Sequence, residues 1–124
     1  MLLKKKLLII DDNKNYLESL ELPLKESYKV VSAENYDEAI NFLNQVKPEI
    51  ALIDIRLDDS DEDNTDGLKI LKWIKENMQE ISTFMMSAYK EFRYAEKALN
   101  LGAKHFFRKP IDLEELKKIL KEKS

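Results

Sequence analysis

The sequence contains no cysteine, and only two glycines, three prolines and one histidine occur among its 124 residues. Without cysteine, disulfide bonds, cysteine-ligated zinc and a cysteine nucleophile are all excluded. No apolar run approaches the roughly 18 residues that a membrane span requires. The apolar segment that follows the N-terminal lysines is also too short for a secretory signal. We therefore expect a cytoplasmic protein that is not associated with a membrane.

Charged residues make up 36% of the chain, which exceeds the roughly 25% of an average protein, and the formal net charge is −3. This acidic balance argues against direct binding of nucleic acid. The charge is unevenly placed, because segment 58–66 holds six acidic residues and no basic one. We expect this segment, called the acidic insert below, to be a solvated, mobile loop.

Short apolar runs alternate with amphipathic helical patterns along the whole chain. Strands are predicted at 6–10, 28–33, 49–54, 82–87 and 104–109, and helices at about 13–26, 35–47, 68–78, 91–101 and from 112 onward. Pro23 predicts a kink or an early end of the first helix. Five such strand–helix units predict one α/β domain over residues 1–124. Right-handed crossovers favour a flavodoxin-like, doubly wound, five-stranded parallel sheet in the order 2-1-3-4-5.

Four predicted strands end on side chains that are suited to handling a phosphoryl group. These side chains are Asp11 and Asp12, Asp54, Ser87, and Lys109. Because ligands of such sheets bind beyond the carboxyl ends of the strands, the five side chains are predicted to share one crevice. Together they could hold a divalent cation beside a carboxylate nucleophile. Each also has a plain structural alternative, as a helix cap, a turn cap or a solvated strand end.

The order and spacing of these residues resemble the receiver domain of bacterial two-component response regulators. The resemblance covers essentially the whole chain and rests on Asp11-Asp12-Asn13, Asp54, Asp66-Gly67-Leu68, Ser87-Ala88, the segment 98–103, and Lys109-Pro110. It implies a regulatory domain rather than an enzyme, one that assists its own phosphorylation and slow autodephosphorylation. It also implies that a sensor histidine kinase or a phosphotransfer protein donates the phosphoryl group to Asp54.

The resemblance further implies Mg²⁺ as the cofactor. Its ligands, or the groups that orient them, would be Asp11, Asp12, Asp54 and the backbone carbonyl of Arg56. Clustered carboxylates repel one another in the absence of a cation, whereas with a cation they form a binding site.

Lys109 and Ser87 would contact oxygens of the phosphoryl group, and the resemblance implies a cis peptide bond between Lys109 and Pro110. Ser87 and Phe106 would be the switch residues. The output surface would comprise the fourth helix, the fifth strand and the fifth helix, which could form a homodimer or contact a fused output domain.

Two features depart from the usual receiver pattern. The loop after Asp54 is longer by about five residues, and Asp58 stands where receivers have proline. Arg56 and Tyr89 occupy positions that tune hydrolysis in the family, and this bulky pair predicts a long-lived phosphoaspartate. The acidic insert borders the site, so it could concentrate cations or slow an anionic phosphodonor. His105 is expected to serve in packing rather than in chemistry.

Two other function classes were weighed against the regulatory phosphoacceptor. An aspartyl-phosphate phosphatase would need a second aspartate two residues after the nucleophile, where this chain has Arg56. A degenerate receiver that serves only as a protein-binding module would lack one of the key residues, and none is missing. The sequence stops just after the predicted fifth helix, so we expect either a stand-alone regulator or a fragment of a larger one. Weak similarity to receivers of nitrogen-type transcriptional activators suggests the N-terminal regulatory part of such a protein.

Overall fold

The computed structural model describes residues 3–88 and 93–124. Its strands are β1 (Lys5–Ile10), β2 (Tyr28–Ala33), β3 (Ile50–Asp54), β4 (Ser82–Ser87) and β5 (Phe106–Arg108). Its helices are α1 (Lys14–Leu24), α2 (Tyr36–Val46), α3 (Asp66–Asn77), α4 (Ala95–Asn100) and α5 (Leu113–Lys123). The strands form one parallel sheet in the order β2-β1-β3-β4-β5, which confirms the predicted fold.

The sheet separates two hydrophobic cores, because side chains alternate between the two faces of a strand. One face of the sheet packs against α2, α3 and α4, and the other packs against α1 and α5. All five residues of β3 are buried, as expected for the central strand. The candidate site lies at the carboxyl ends of the strands.

Three helices begin at the polar side chains that the sequence offers as caps. The side chains of Asn13, Asn35 and Asp112 accept backbone N–H groups in the first turns of α1, α2 and α5. The early end predicted for the first helix is confirmed, since α1 stops at Leu24 directly after Pro23. Gly102, with φ of +103°, follows α4 in the left-handed conformation that favours glycine.

The predicted bounds were wrong at β5 and differ at α3. The fifth strand covers only 106–108 rather than 104–109, although the backbone of Lys104, His105 and Lys109 also hydrogen-bonds to β4. His105 therefore lies just before this strand, where its ring packs 4.6 Å from that of Phe107. Helix α3 begins two residues earlier than predicted.

The predicted start of the fourth helix, at residue 91, lies outside the described residues. Tyr89, predicted to tune hydrolysis, also lies outside them. Within 3–88 and 93–124, no helix is both long and apolar enough to cross a bilayer.

Candidate metal and phosphoacceptor site

Three carboxylates meet where β1 and β3 end. The two strands are neighbours, and Ile10 is paired with Ile53, so the residues that follow them along the chain lie side by side. One oxygen from each of Asp11, Asp12 and Asp54 lies within 4.8 Å of the others. Asp11 and Asp54 are buried, with 0% and 5% of their surface exposed. Such a cluster costs free energy unless positive charge balances it.

Lys109 supplies part of that positive charge. Its ammonium nitrogen lies 2.6 Å from Asp11 Oδ2 and 3.4 Å from Asp54 Oδ2. The backbone N–H of Lys109 donates to the carbonyl of Ser87 at 2.8 Å, which extends the β4–β5 pairing to the edge of the site. The predicted cis bond between Lys109 and Pro110 is confirmed. The lysine is thus held against the carboxylates from both its backbone and its side chain.

Tyr16 also holds Lys109 and was not predicted as a site residue. The Lys109 nitrogen lies 4.7 Å from the centre of the Tyr16 ring, and the tyrosine hydroxyl accepts the N–H of Ile111 at 3.0 Å. The pKa of Tyr16 is raised, mainly by burial. In the sequence, Tyr16 could have been noticed as an aromatic residue with a polar hydroxyl group on the apolar face of the first helix, shortly after Asp11.

The charges in the site strongly perturb one another. Burial, reinforced by the negative charge of Asp11, raises the pKa of Asp54 to about 8, even though Lys109 opposes the change. Burial and the nearby Asp59 raise the pKa of Asp12. Burial works against the charged form of Lys109, but Asp54 and Asp11 outweigh it and raise the lysine pKa. One ammonium group therefore does not neutralise three carboxylates, and additional positive charge would stabilise the site.

The donor set suits a small, hard cation. Mg²⁺ prefers oxygen ligands at about 2.0–2.1 Å, so ligands on opposite sides of the ion are about 4.2 Å apart. The three carboxylate oxygens lie within 4.8 Å of one another, which is close to this distance. Asp12 is only partly buried, which leaves the cluster open to solvent on that side. The residues present therefore fit a magnesium ion.

Ser87 carries a hydroxyl group one residue after the point where β4 pairs with Asp54. Met86 is paired with Asp54 in the sheet, and Ser87 follows it. The Ser87 oxygen is fully buried and has no hydrogen-bond partner among the described residues. A buried polar atom without a partner is rare and calls for an explanation. That Ser87 contacts a phosphoryl oxygen stays a prediction.

Phe106, the other predicted switch residue, is partly buried and packs against the core on the α4 side of the sheet. It is paired with Met85 on β4, two residues before Ser87. That Phe106 is a switch residue stays a prediction.

Gly67 allows α3 to begin directly against the site. A methyl group added at this glycine would lie 1.9 Å from the backbone oxygen of Asp54, so no larger residue is accommodated without backbone movement. The Gly67 N–H donates to the carbonyl of Ile55 at 2.9 Å. The first turn of α3 thus fixes the backbone that carries the candidate phosphoacceptor.

Residues 58–63 of the acidic insert are exposed, as predicted, and local hydrogen bonds define the insert's backbone. Asp58, Asp61 and Asn64, spaced three residues apart, each accept the backbone N–H two residues ahead. Backbone bonds from Asp61 N to Asp58 O and from Asn64 N to Asp61 O link successive units. This geometry is an Asx turn repeated three times. Asn64 also accepts the N–H of Leu57 at 3.0 Å, which closes the insert back onto the end of β3.

The insert is also connected to the carboxylate cluster. The backbone N–H of Asp59 donates to Asp12 Oδ2 at 3.1 Å, and the Asp59 carboxylate lies 3.5 Å from the guanidinium of Arg56. The backbone on both sides of Arg56 is anchored, because Ile55 O bonds to α3 and Leu57 N bonds to Asn64. That the Arg56 carbonyl is a cation ligand stays a prediction.

The comparison with protein families decides the classification. The family model for the response regulator receiver domain matches residues 7–121. The chain belongs to this family. The match agrees with the sheet order and with the acidic cluster at the carboxyl edge, and it makes this protein a receiver domain of the response regulators.

Individual relatives differ greatly in length. Sporulation initiation phosphotransferase F of Bacillus subtilis is 30% identical over 97% of this chain and 94% of its own length. The regulatory protein AtoC of Escherichia coli is also 30% identical, but this receiver domain spans only 24% of that relative. Among solved structures, a receiver domain protein (CheY-like) of Methanospirillum hungatei is 27% identical, with a TM-score of 0.87 over 98% of this chain and 94% of that one.

A further solved structure contains a modified aspartate. A response regulator protein of Burkholderia pseudomallei, 26% identical, has a TM-score of 0.81 over 94% of this chain and 66% of that one. It is described as holding a phosphorylated aspartic acid, a calcium ion and citrate.

Proposed function

We propose that this receiver domain accepts a phosphoryl group on Asp54 from a sensor histidine kinase or a phosphotransfer protein, with Mg²⁺ as cofactor. The observation that carries the proposal is the gathering of Asp54 with Asp11, Asp12 and Lys109 at the carboxyl edge of the sheet. The phosphorylated aspartic acid in the Burkholderia pseudomallei response regulator supports the same chemistry.

The transfer exchanges one bond for another. A carboxylate oxygen of Asp54 attacks the phosphorus of a phosphohistidine, the phosphorus–nitrogen bond breaks, and the imidazole leaves with the bonding electrons and takes up a proton. Because the attacking oxygen must be unprotonated, the raised pKa of Asp54 opposes the reaction in the cation-free domain. Mg²⁺, when bound, supplies the positive charge that favours the carboxylate form.

The remaining residues stabilise the transferred group. Lys109 lies close enough to Asp54 to pair with a phosphoryl oxygen as a compact point charge. Ser87 would donate its hydroxyl, now without a partner among the described residues, to a second phosphoryl oxygen. Asp11 would stay beside Lys109 and keep its ammonium group oriented. Each of these roles uses a contact or an orphan group that exists before phosphorylation.

Phosphorylation would change the surface made by α4, β5 and α5. Drawing Ser87 toward the phosphoryl group would alter the end of β4. Phe106 on β5 is paired with Met85 of that strand, so the change would reach it. Phe106 lacks a hydroxyl group, so it would report the change by packing alone. This surface would then favour a homodimer or contact an output domain. A cytoplasmic location, typical of the family, is part of the same proposal.

Intact-mass measurement tests the phosphoacceptor directly. The domain is incubated with acetyl phosphate and Mg²⁺, and the wild type is expected to gain the mass of one phosphoryl group. Asp54→Ala should gain none, whereas Asp63→Asn, which removes an acid of the insert, should react like the wild type. Uptake by Asp54→Ala equal to that of the wild type would contradict the assignment.

A further inference from the structure

Asp59 is the one residue of the acidic insert for which the structure gives contacts to two candidate site residues. Its backbone N–H bonds to Asp12 Oδ2 at 3.1 Å, and its carboxylate lies 3.5 Å from the Arg56 guanidinium. The side chain of Asp59 is 71% exposed, whereas that of Arg56 is 22% exposed. Asp59 therefore contacts both Asp12, a candidate cation ligand, and Arg56, which lies two residues after the phosphoacceptor.

The backbone position of Asp59 does not depend on its own side chain. The Asp58 carboxylate accepts both the N–H of Ser60 at 3.0 Å and its hydroxyl at 2.6 Å. The carbonyl of Asp58 also accepts the N–H of Asp61 at 3.1 Å. These bonds close a turn around Asp59 from both sides. A substitution at this position can therefore remove its charge while the turn persists.

We infer that Asp59 is a positioning residue, through which the acidic insert sets the cation affinity of the site and the lifetime of the phosphoaspartate. The inference rests on the proposed phosphorylation of Asp54. The Asp59 N–H fixes the Asp12 carboxylate, and the Asp59 carboxylate holds the guanidinium of Arg56, whose bulk, two residues after Asp54, hinders an attacking water molecule.

The Asp59–Asp12 hydrogen bond is compatible with cation binding. A carboxylate offers two oxygens and about four lone-pair directions, so one N–H leaves most of its capacity available. The Asp59 carboxylate adds a negative charge close to Asp12, which attracts a cation. Because Asp59 is largely exposed, solvent screens that charge, and removing it should weaken Mg²⁺ binding only about threefold.

Calorimetric titration of Mg²⁺ into the unphosphorylated domain tests this first effect. Asp59→Asn should raise the Kd about threefold, whereas Asp63→Asn, a matched charge removal in the same loop, should leave it unchanged. Asp59→Pro also removes the N–H and should weaken binding further than Asp59→Asn does. The urea midpoint of each variant shows whether the fold is intact. An unchanged Kd in Asp59→Asn, or equal shifts in both asparagine variants, would overturn the inference.

The lifetime of the phosphoaspartate tests the second effect. After acetyl phosphate is removed, Asp59→Asn should shorten the half-life about twofold, and this effect should vanish when Arg56→Asn is also present. An effect of Asp59→Asn that persists without Arg56 would contradict action through that arginine. Wild-type protein that neither binds Mg²⁺ nor becomes phosphorylated would refute the proposed function itself. Normal phosphorylation with an inert Asp59 would refute only the inference.

Discussion

Replacing Asp54 by asparagine should stabilise the cation-free domain, although it removes the phosphoacceptor. Asparagine keeps the shape of the side chain but carries no charge into the cluster with Asp11 and Asp12. In the wild type, the pKa of Asp54 is raised from its ordinary value of 3.8 to about 8. The folded state therefore binds more protons than the unfolded state between these two pH values. As a result, the free energy of unfolding of the wild type falls as pH rises through that range.

The size of the effect follows from that range. The penalty grows by about 1.36 kcal/mol for each pH unit above 3.8, which sets an upper limit of about 4 kcal/mol at pH 7. The raised pKa of Asp54 already includes the attraction of Lys109, whose ammonium group lies 3.4 Å away, so this pair does not reduce the gain further. We expect a stabilisation of about 2–4 kcal/mol at pH 7. The gain should shrink toward zero near pH 4.

Urea unfolding followed by far-ultraviolet circular dichroism, in buffer with a chelator, measures this difference at several pH values. Asp63→Asn serves as the control, since it removes an exposed acid from the insert and should show no comparable gain. Saturating Mg²⁺ should stabilise the wild type more than Asp54→Asn, because the cation relieves the same repulsion. A variant that is no more stable than the wild type at pH 7, or a gain that does not depend on pH, would refute the reasoning.

Three further substitutions have expected outcomes. Gly67→Ala should lower the free energy of unfolding in urea by about 3 kcal/mol or more, because its methyl group would lie 1.9 Å from the Asp54 carbonyl oxygen. A near-neutral effect would mean that α3 can shift freely. Lys109→Gln leaves the buried Asp11 carboxylate unpaired and should lose about 3 kcal/mol without Mg²⁺, much of it restored by the cation in the same assay. Arg56→Asn should shorten the half-life of the phosphoaspartate, and a longer half-life would contradict the role given to its bulk.

The positions of the chemistry-bearing side chains were predictable because sheet order alone determines them. A parallel order of 2-1-3-4-5 makes β1 and β3 neighbours, so the residues that follow the two strands converge whatever the helices do. Asp11, Asp54 and Lys109 needed only their places at strand ends. The same logic could not set the ends of β5, because sheet order determines which strands are neighbours and not where each strand begins and ends.

The contacts that hold these side chains in place were not predictable in the same way. The ring of Tyr16 beneath Lys109 depends on how α1 packs on the sheet, and hydrophobic periodicity specifies only which face is buried. The acidic insert was interpreted through its charge, whereas its backbone is set by asparagine and aspartate oxygens acting locally. The three-residue spacing of Asp58, Asp61 and Asn64 was visible in the sequence, and its turn-forming meaning was missed.

That spacing has a consequence for how the loop could vary in length. The units at Asp58 and Asp61 each make the same side-chain and backbone bonds, and the third, at Asn64, repeats the side-chain bond and attaches the loop to Leu57. Deleting or duplicating a whole unit would therefore keep a turn-forming oxygen at each closing position, whereas a change of one or two residues would put the wrong side chain there. The span between phosphoacceptor and third helix is in this sense modular, with a step of three.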